Sequence, residues 1–321
     1  MEDPNDTQTN TIVEIAPDGD LILIVGPEEA KLHVNSMMLR AVSKPFSAMF
    51  KSDWKEGHDL LDCDRPVDRP AEIPLPEDNA AAMKIICSII HHQNKEVPRS
   101  LAAGDVLAVA VTADKYDCVE ALRFASDGWL RPSGDEAGNL ILLTAAAYLF
   151  QNAQAFKEIT KALILDYKDP YLTLSCREVE SAMPWKVFCL LEEQRGSARL
   201  RVADILMAGV NDWTGHCVHN CGWTSKYAYA YIKLLEEERL WPAHLPGISI
   251  SEALQSAERM PDPIPEESST ACTYGYKHTA PAYRRNRTES LDDFNESIGL
   301  CLHCVRSGRM KSKCSKRSHR S

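Results

Sequence analysis

The chain has 321 residues, 44% of them hydrophobic, with a formal net charge of −10 and an isoelectric point near 5.5. This length accommodates two domains, or three small ones, with real apolar cores, and the acidic balance argues against a surface made throughout for nucleic acid, whose phosphates require a positive field. No apolar run approaches the roughly 18 residues that span a bilayer, and the polar, acidic opening MEDPNDTQTN is not a secretory signal, so no membrane partner and a cytoplasmic or nuclear location are expected. In such a reducing compartment the 11 cysteines are core thiols or metal ligands, not a disulfide framework.

Residues 1–17 are polar and expected to be disordered, with Ile12, Val13 and Ile15 the only hint of an added strand, one that would pair with a neighbouring chain. The β-rich run Leu21-Ile22-Leu23-Ile24-Val25 is too short for a globular helix and predicts a buried strand. Gly26-Pro27 breaks it, and Lys31-Leu32-His33-Val34 resumes as the second arm of a hairpin. Asn35 or Ser36 then caps a helix carrying Met37, Met38, Leu39 and Val42, and Pro45 opens a second with Phe46, Met49 and Phe50 on one face.

The charged, proline-punctuated stretch from His58 to Ala71 predicts a loop. Ile73 to Leu75 predicts a short strand that Pro74 confines to an edge or a strand end. Asn79 caps a helix whose Met83, Ile86, Cys87 and Ile90 form the apolar stripe, closed by His91-His92 in a structural role. Gly104 to Tyr116 is another helix, and Asp117-Cys118 starts a short one carrying Val119, Leu122 and Phe124. His33 and Cys118 are expected to be satisfied core or edge residues.

In this order, the Asp20 to Phe50 nucleus, Trp54-Lys55-Glu56-Gly57, Ile73-Pro74-Leu75-Pro76-Glu77-Asp78, a helix running into Ile89-Ile90-His91-His92-Gln93-Asn94, and Ala113-Asp114-Lys115-Tyr116-Asp117-Cys118 resemble the BTB/POZ proteins typical of filamentous fungi. The resemblance implies an α+β domain over residues 18–130, a small sheet flanked by helices, that self-associates as a homodimer or docks a protein partner. Family members dimerise through the first strand and helices, and some recruit cullin-3 ubiquitin ligases. Leu21, Ile22, Met37, Met38 and Phe50 are the candidates for such a surface, with ordinary core as the competing role.

Arg131 to Asp135 reads as a linker, and residues 136–212 as a helical block with Leu143, Ala147 and Phe150, then Phe156, Ile159, Leu163 and Tyr167, then a long element from Trp185 past Gly196. Residues 213–305 change character. Cysteines and histidines concentrate there beside two helices, Lys226 to Arg239 and Ser251 to Met260, and little regular structure is expected elsewhere in the segment. Residues 306–321 form a basic tail, a disordered segment with the makings of a nuclear-import signal or phosphate contact but without the interleaved aromatics that stack bases.

The strongest chemical signal is Cys217-x3-Cys221 with Cys301-x2-Cys304. Each spacing brings two sulfurs within reach of one ion, and four thiolates satisfy tetrahedral zinc in a structural site. Cys272 and His278 fall in the long gap between the pairs, where either can replace a ligand or belong to a second site. The competing reading is free thiols in a weakly ordered tail. Enzymatic signatures are missing: there is no phosphate-cradling Gly-x4-Gly-Lys-Ser/Thr, no Gly-x-Gly-x-x-Gly, no Gly-x-Ser-x-Gly and no His-Glu-x-x-His. The sequence therefore predicts a non-enzymatic interaction protein, with a nucleic-acid-binding nuclear regulator as the alternative.

Overall fold

The computed structural model describes residues 12–51, 70–131, 136–211, 217, 219, 221–264, 272, 274–275, 278 and 283–308. The Trp54 to Gly57 segment and the basic run from Arg309 lie outside the described residues. The chain is mostly helical with one small sheet, and it divides into two compact units, residues 1–155 with 181–183, and residues 156–180 with 184–321.

In the first unit β1 (Val13–Glu14), β2 (Leu21–Val25), β3 (Ala30–Val34) and β4 (Ala71–Leu75) form a four-stranded sheet in the order β1-β3-β2-β4. The expected hairpin is β2 antiparallel to β3, pairing Leu23 with Leu32, while β4 runs parallel to β2 with Ile73 opposite Leu23. β4 alternates buried Ala71, Ile73 and Leu75 with exposed Glu72 and Pro74, and its edge position tolerates a residue that cannot donate to a ladder. The terminal strand differs from expectation: β1 pairs in parallel with β3 of its own chain, and the Ile15 amide continues the pairing to the His33 carbonyl at 3.0 Å. Ile15 is buried by this, so order at this end begins ahead of residue 18.

The helices follow from their caps. Asn35 Oδ1 accepts from the Met37 and Met38 amides to start α1 (Ser36–Val42), and the Asp20 carboxylate accepts from the Ser36 amide and hydroxyl at 2.7 and 2.6 Å. Ser43 Oγ accepts from the Phe46 amide to start α2 (Lys44–Met49) and donates to the Tyr116 carbonyl at 2.6 Å. Asn79 caps α3 (Ala80–Ile90). Past its end, His91 accepts the Asn35 amide on Nε2 at 2.9 Å and donates from Nδ1 to the Cys87 carbonyl at 2.8 Å, the structural role expected of it.

Helix α4 (Ala103–Lys115) leads into the Tyr116 to Cys118 turn, which pins the unit together. The Tyr116 ring stacks on Phe46 with centroids 4.4 Å apart, its hydroxyl donates to buried Asp78 Oδ2 at 2.8 Å, and Lys115 Nζ reaches Asp78 Oδ1 at 2.7 Å. Burial pushes the Cys118 thiol up to about 11, as suits a core position. Leu122, at the end of the 3₁₀ turn over Val119–Leu122, and Trp129 of α5 (Arg123–Trp129) are buried, while Phe124 is 91% exposed. Helix α6 (Ala137–Leu149), expected in a separate helical block, packs along α4 within this first unit.

Of the residues named for an association surface, Leu21, Ile22 and Phe50 are core, at 7% exposure or less. The middle of the sheet and the Phe46 stack bury them. Met37, at 76% exposed, is a true surface residue, and Met38 is half-buried.

In the second unit α7 (Ala153–Asp166) buries Phe156, Ile159 and Leu163. The short helix α8 (Arg177–Ala182) belongs to this unit through Glu180, and α9 (Lys186–Ala208) buries Val187, Phe188, Leu191, Val202 and Leu206. They are followed by α10 (Trp223–Glu237), α11 (Ile250–Arg259), α12 (Tyr283–Ser297) and α13 (Leu302–Arg306). Helix α12 was not expected. Its sequence YRRNRTESLDDFNES is strongly polar, yet Tyr283, Arg287 and Leu291 recur every four residues as one buried stripe packed against α9 and α11.

Candidate metal centre

The start of α10 and two short segments bring together one compact group of donors. Gly222 adopts a left-handed conformation at φ +82° immediately before the helix, a turn that L side chains resist, and this places Cys221 at the helix entrance and Trp223 in its first turn. The ligand atoms of Cys217, Cys221, Cys272 and His278 all lie within 4.8 Å of one another. Cys217 Sγ is 3.7 Å from Cys272 Sγ, and Cys221 Sγ is 3.1 Å from His278 Nε2.

These distances suit a group that could hold a metal ion. A disulfide requires sulfurs about 2.05 Å apart, so Cys217 and Cys272 are separate thiols. Donors around a tetrahedral zinc, with sulfur at about 2.3 Å and nitrogen at about 2.0–2.1 Å, stand roughly 3.5–3.8 Å from each other. The sulfur pair already has that spacing, and the Cys221–His278 pair, now at hydrogen-bond distance, needs only a few tenths of an ångström. Three thiols and one imidazole complete four-coordination without leaving an open position, the donor set of a structural zinc site rather than a catalytic one.

The surroundings hold the donors in place. The Tyr274 amide points at Cys272 Sγ at 3.5 Å, and the His219 amide hydrogen bond is the largest influence on Cys217, holding its thiol down at about 6 with help from His278. Both backbone donors sit two residues beyond the cysteine they serve, and the His219 and Tyr274 rings meet at 5.0 Å. At Cys272 the Tyr274 amide also lowers the thiol, but burial and the hydrogen bonds to Cys217 and Cys221 outweigh it and the net shift is upward. The His278 ring stacks on Trp223 at 4.7 Å with planes 6° apart, and its buried Nδ1 has no hydrogen-bond partner among the described residues, so the indole sets the ring's orientation.

The predicted set is therefore half replaced. Cys217 and Cys221 are in the cluster, but Cys301 and Cys304 are not, and Cys272 and His278 take their places. The reason lies in local structure. Cys301 is the N-cap residue of α13 and its carbonyl accepts the Val305 amide, while Cys304 is buried with Leu302 and Val305. That segment is anchored elsewhere: the Leu300 amide donates to Thr160 Oγ1 at 3.0 Å, and Lys186 Nζ donates to the Val305 carbonyl. Gap length was only a weak signal: closing Cys272 onto Cys221 instead of Cys301 spares roughly 0.4 kcal/mol of loop entropy, so the anchoring of the Cys301 segment weighs more.

Among the described residues no helix is long and apolar enough to cross a membrane. No protein-family model, curated protein or solved structure matches the chain.

Proposed function

We propose that the chain is a non-catalytic protein–protein interaction protein whose first unit is a BTB/POZ-like association module and whose second unit is stapled by one structural zinc ion. The observation that carries the zinc reading is the convergence of Cys217, Cys221, Cys272 and His278 on one closed donor set. The module reading is supported by the hairpin-and-paired-helix nucleus, by the packing roles of Asp78, Tyr116 and Cys118 within the motifs that carry the resemblance, and by the exposed Met37 on α1. Homodimerisation is the activity this reading assigns first, and docking of a cullin-3-type ligase is a possibility it opens by family analogy alone.

Metal analysis of the purified full chain tests the zinc. About one zinc per chain is expected, lost in Cys272→Ser and in His278→Ala and retained in the Cys301→Ser/Cys304→Ser double variant. Retention of full zinc by Cys272→Ser refutes the assignment. Light scattering at micromolar concentration tests the module: a dimer that Met37→Lys weakens is expected, and a wild-type monomer refutes it.

A further inference from the structure

The four donors of the metal centre fall into two pairs, and each pair is held by a different ring contact. Cys221 and His278 belong to the entrance of α10, where the His278 ring stacks on Trp223 at 4.7 Å. Cys217 and Cys272 belong to two short segments that meet each other directly, through the His219 and Tyr274 rings at 5.0 Å. Each of these rings lies two residues beyond its cysteine, so the contact holds Cys217 Sγ beside Cys272 Sγ, 3.7 Å apart, by protein groups alone.

Two sulfurs so placed can share an ion or bond to each other. A disulfide requires about 2.05 Å, so the pair at 3.7 Å has roughly 1.7 Å to close, within what two short segments can yield. Cys217 is half-buried and Cys272 is buried, so a small oxidant reaches Cys217 first and Cys272 stands behind it as the resolving thiol. Cys221, equally half-buried, has an imidazole nitrogen as its near neighbour at 3.1 Å and is fixed to the helix entrance by the left-handed turn at Gly222.

We propose that Cys217 and Cys272 are a peroxide-oxidisable pair that exchanges the zinc clasp for a disulfide, an inference that rests on the zinc reading of the cluster. A lone pair of the Cys217 thiolate attacks one peroxide oxygen: the S–O bond forms as the O–O bond breaks, and the hydroxide that leaves takes up a proton to become water. The Cys272 thiolate then attacks the Cys217 sulfur, forming the S–S bond and expelling the second hydroxide, which takes up a second proton. The two sulfurs together lose the two electrons that the peroxide gains. Cys221 and His278 are left as two donors, too few for a closed tetrahedral site, and the ion departs. The disulfide keeps the Cys217 and Cys272 segments joined, while the entrance of α10 is released from them.

Treatment of the zinc-loaded full chain with a small molar excess of hydrogen peroxide tests this, with released zinc read by a chromogenic chelator and the disulfide located by non-reducing peptide mapping. Zinc release should match the Cys217–Cys272 disulfide mole for mole, and dithiothreitol followed by zinc should restore the starting state. Cys189→Ser removes an exposed cysteine outside the cluster and should leave the release unchanged. Tyr274→Ala, at a ring 68% exposed, should keep zinc in the reduced chain and slow disulfide formation at least about threefold, because the two segments lose the contact that aligns them. Absence of zinc from the reduced chain refutes the zinc reading and the exchange with it. Zinc that stays bound after peroxide, release without a Cys217–Cys272 disulfide, release that depends on Cys189, or an undiminished rate in Tyr274→Ala overturns the exchange and leaves the zinc reading standing.

Discussion

Tyr116→Phe probes the pin of the first unit. The substitution keeps the ring that stacks 4.4 Å from Phe46 and removes only the hydroxyl that donates to Asp78 Oδ2 at 2.8 Å. Asp78 is 7% exposed, so the acceptor left behind cannot turn to water. A hydrogen bond to a charged group contributes about 1.5–3 kcal/mol, and the loss of one partner from a buried carboxylate belongs near the upper part of that range. Lys115, the other partner of Asp78, has a side chain 49% exposed, and solvent screening reduces its share to about 1 kcal/mol or less. Tyr116→Phe should therefore destabilise the first unit by about 2–3 kcal/mol, and clearly more than Lys115→Met does. Native-state hydrogen exchange at the β2 and α4 amides reads that unit separately from the second. A loss below about 0.5 kcal/mol for Tyr116→Phe, or a larger one for Lys115→Met, would show that the carboxylate is solvated and that the Asp78–Tyr116 contact does not fasten the helices to the sheet.

Two further outcomes follow from the packing. His91 is buried between the Asn35 amide and the Cys87 carbonyl, and burial, the largest influence on it, holds its imidazole below the ordinary value of 6.5. The unfolded chain then binds the extra proton first, so the first unit should keep full stability above pH 6.5 and lose it progressively as the pH falls below that value, and His91→Gln should flatten this slope in pH-dependent hydrogen exchange. A Cβ at Gly209 would stand 2.6–2.8 Å from the Tyr231 ring and hydroxyl, and Tyr231 at 1% exposure has no room to withdraw. Gly209→Ala should cost the second unit about 1–3 kcal/mol in thermal or urea unfolding, and a neutral result would mean that the α9 terminus and α10 do not meet as described.

Much of the fold was legible because its signals are local. The Asn35 and Asn79 caps, the hairpin around Gly26 and the edge position of Pro74 each need only a few neighbouring residues to be read. What the sequence did not show depends on partners far along the chain. The hint of a strand at Ile12, Val13 and Ile15 did not give its partner, which is β3 of the same chain, and α12 carries so few apolar residues that its buried stripe appears only once α9 and α11 supply the other wall. Leu21, Ile22 and Phe50 were ambiguous for the same reason: an apolar side chain on a short strand or helix fits a core or an interface equally well until the neighbours are known.

The metal centre divides along the same line. Cys217-x3-Cys221 was legible as a half-site because its geometry is fixed by adjacent residues, whereas the second half depends on which distant pair the chain returns to it. Cys301-x2-Cys304 has the more familiar spacing, but Leu300 and Leu302 are each 2% exposed or less, and extracting this segment to reach a distant ion would expose both. At about 25 cal/mol per Å² of apolar surface, each such side chain contributes roughly 1.5–3 kcal/mol to staying where it is. Around Cys272 and His278 the packing that is described serves the cluster itself, with Tyr274, 68% exposed, against His219 and the His278 ring against Trp223, so these two ligands need not be drawn out of a separate core. Competition between coordination and core packing thus favours the less conspicuous ligands, and the Cys272→Ser and Cys301→Ser/Cys304→Ser variants separate the two: the first should release the metal with the fold around α13 intact, the second should retain the metal while loosening that fold.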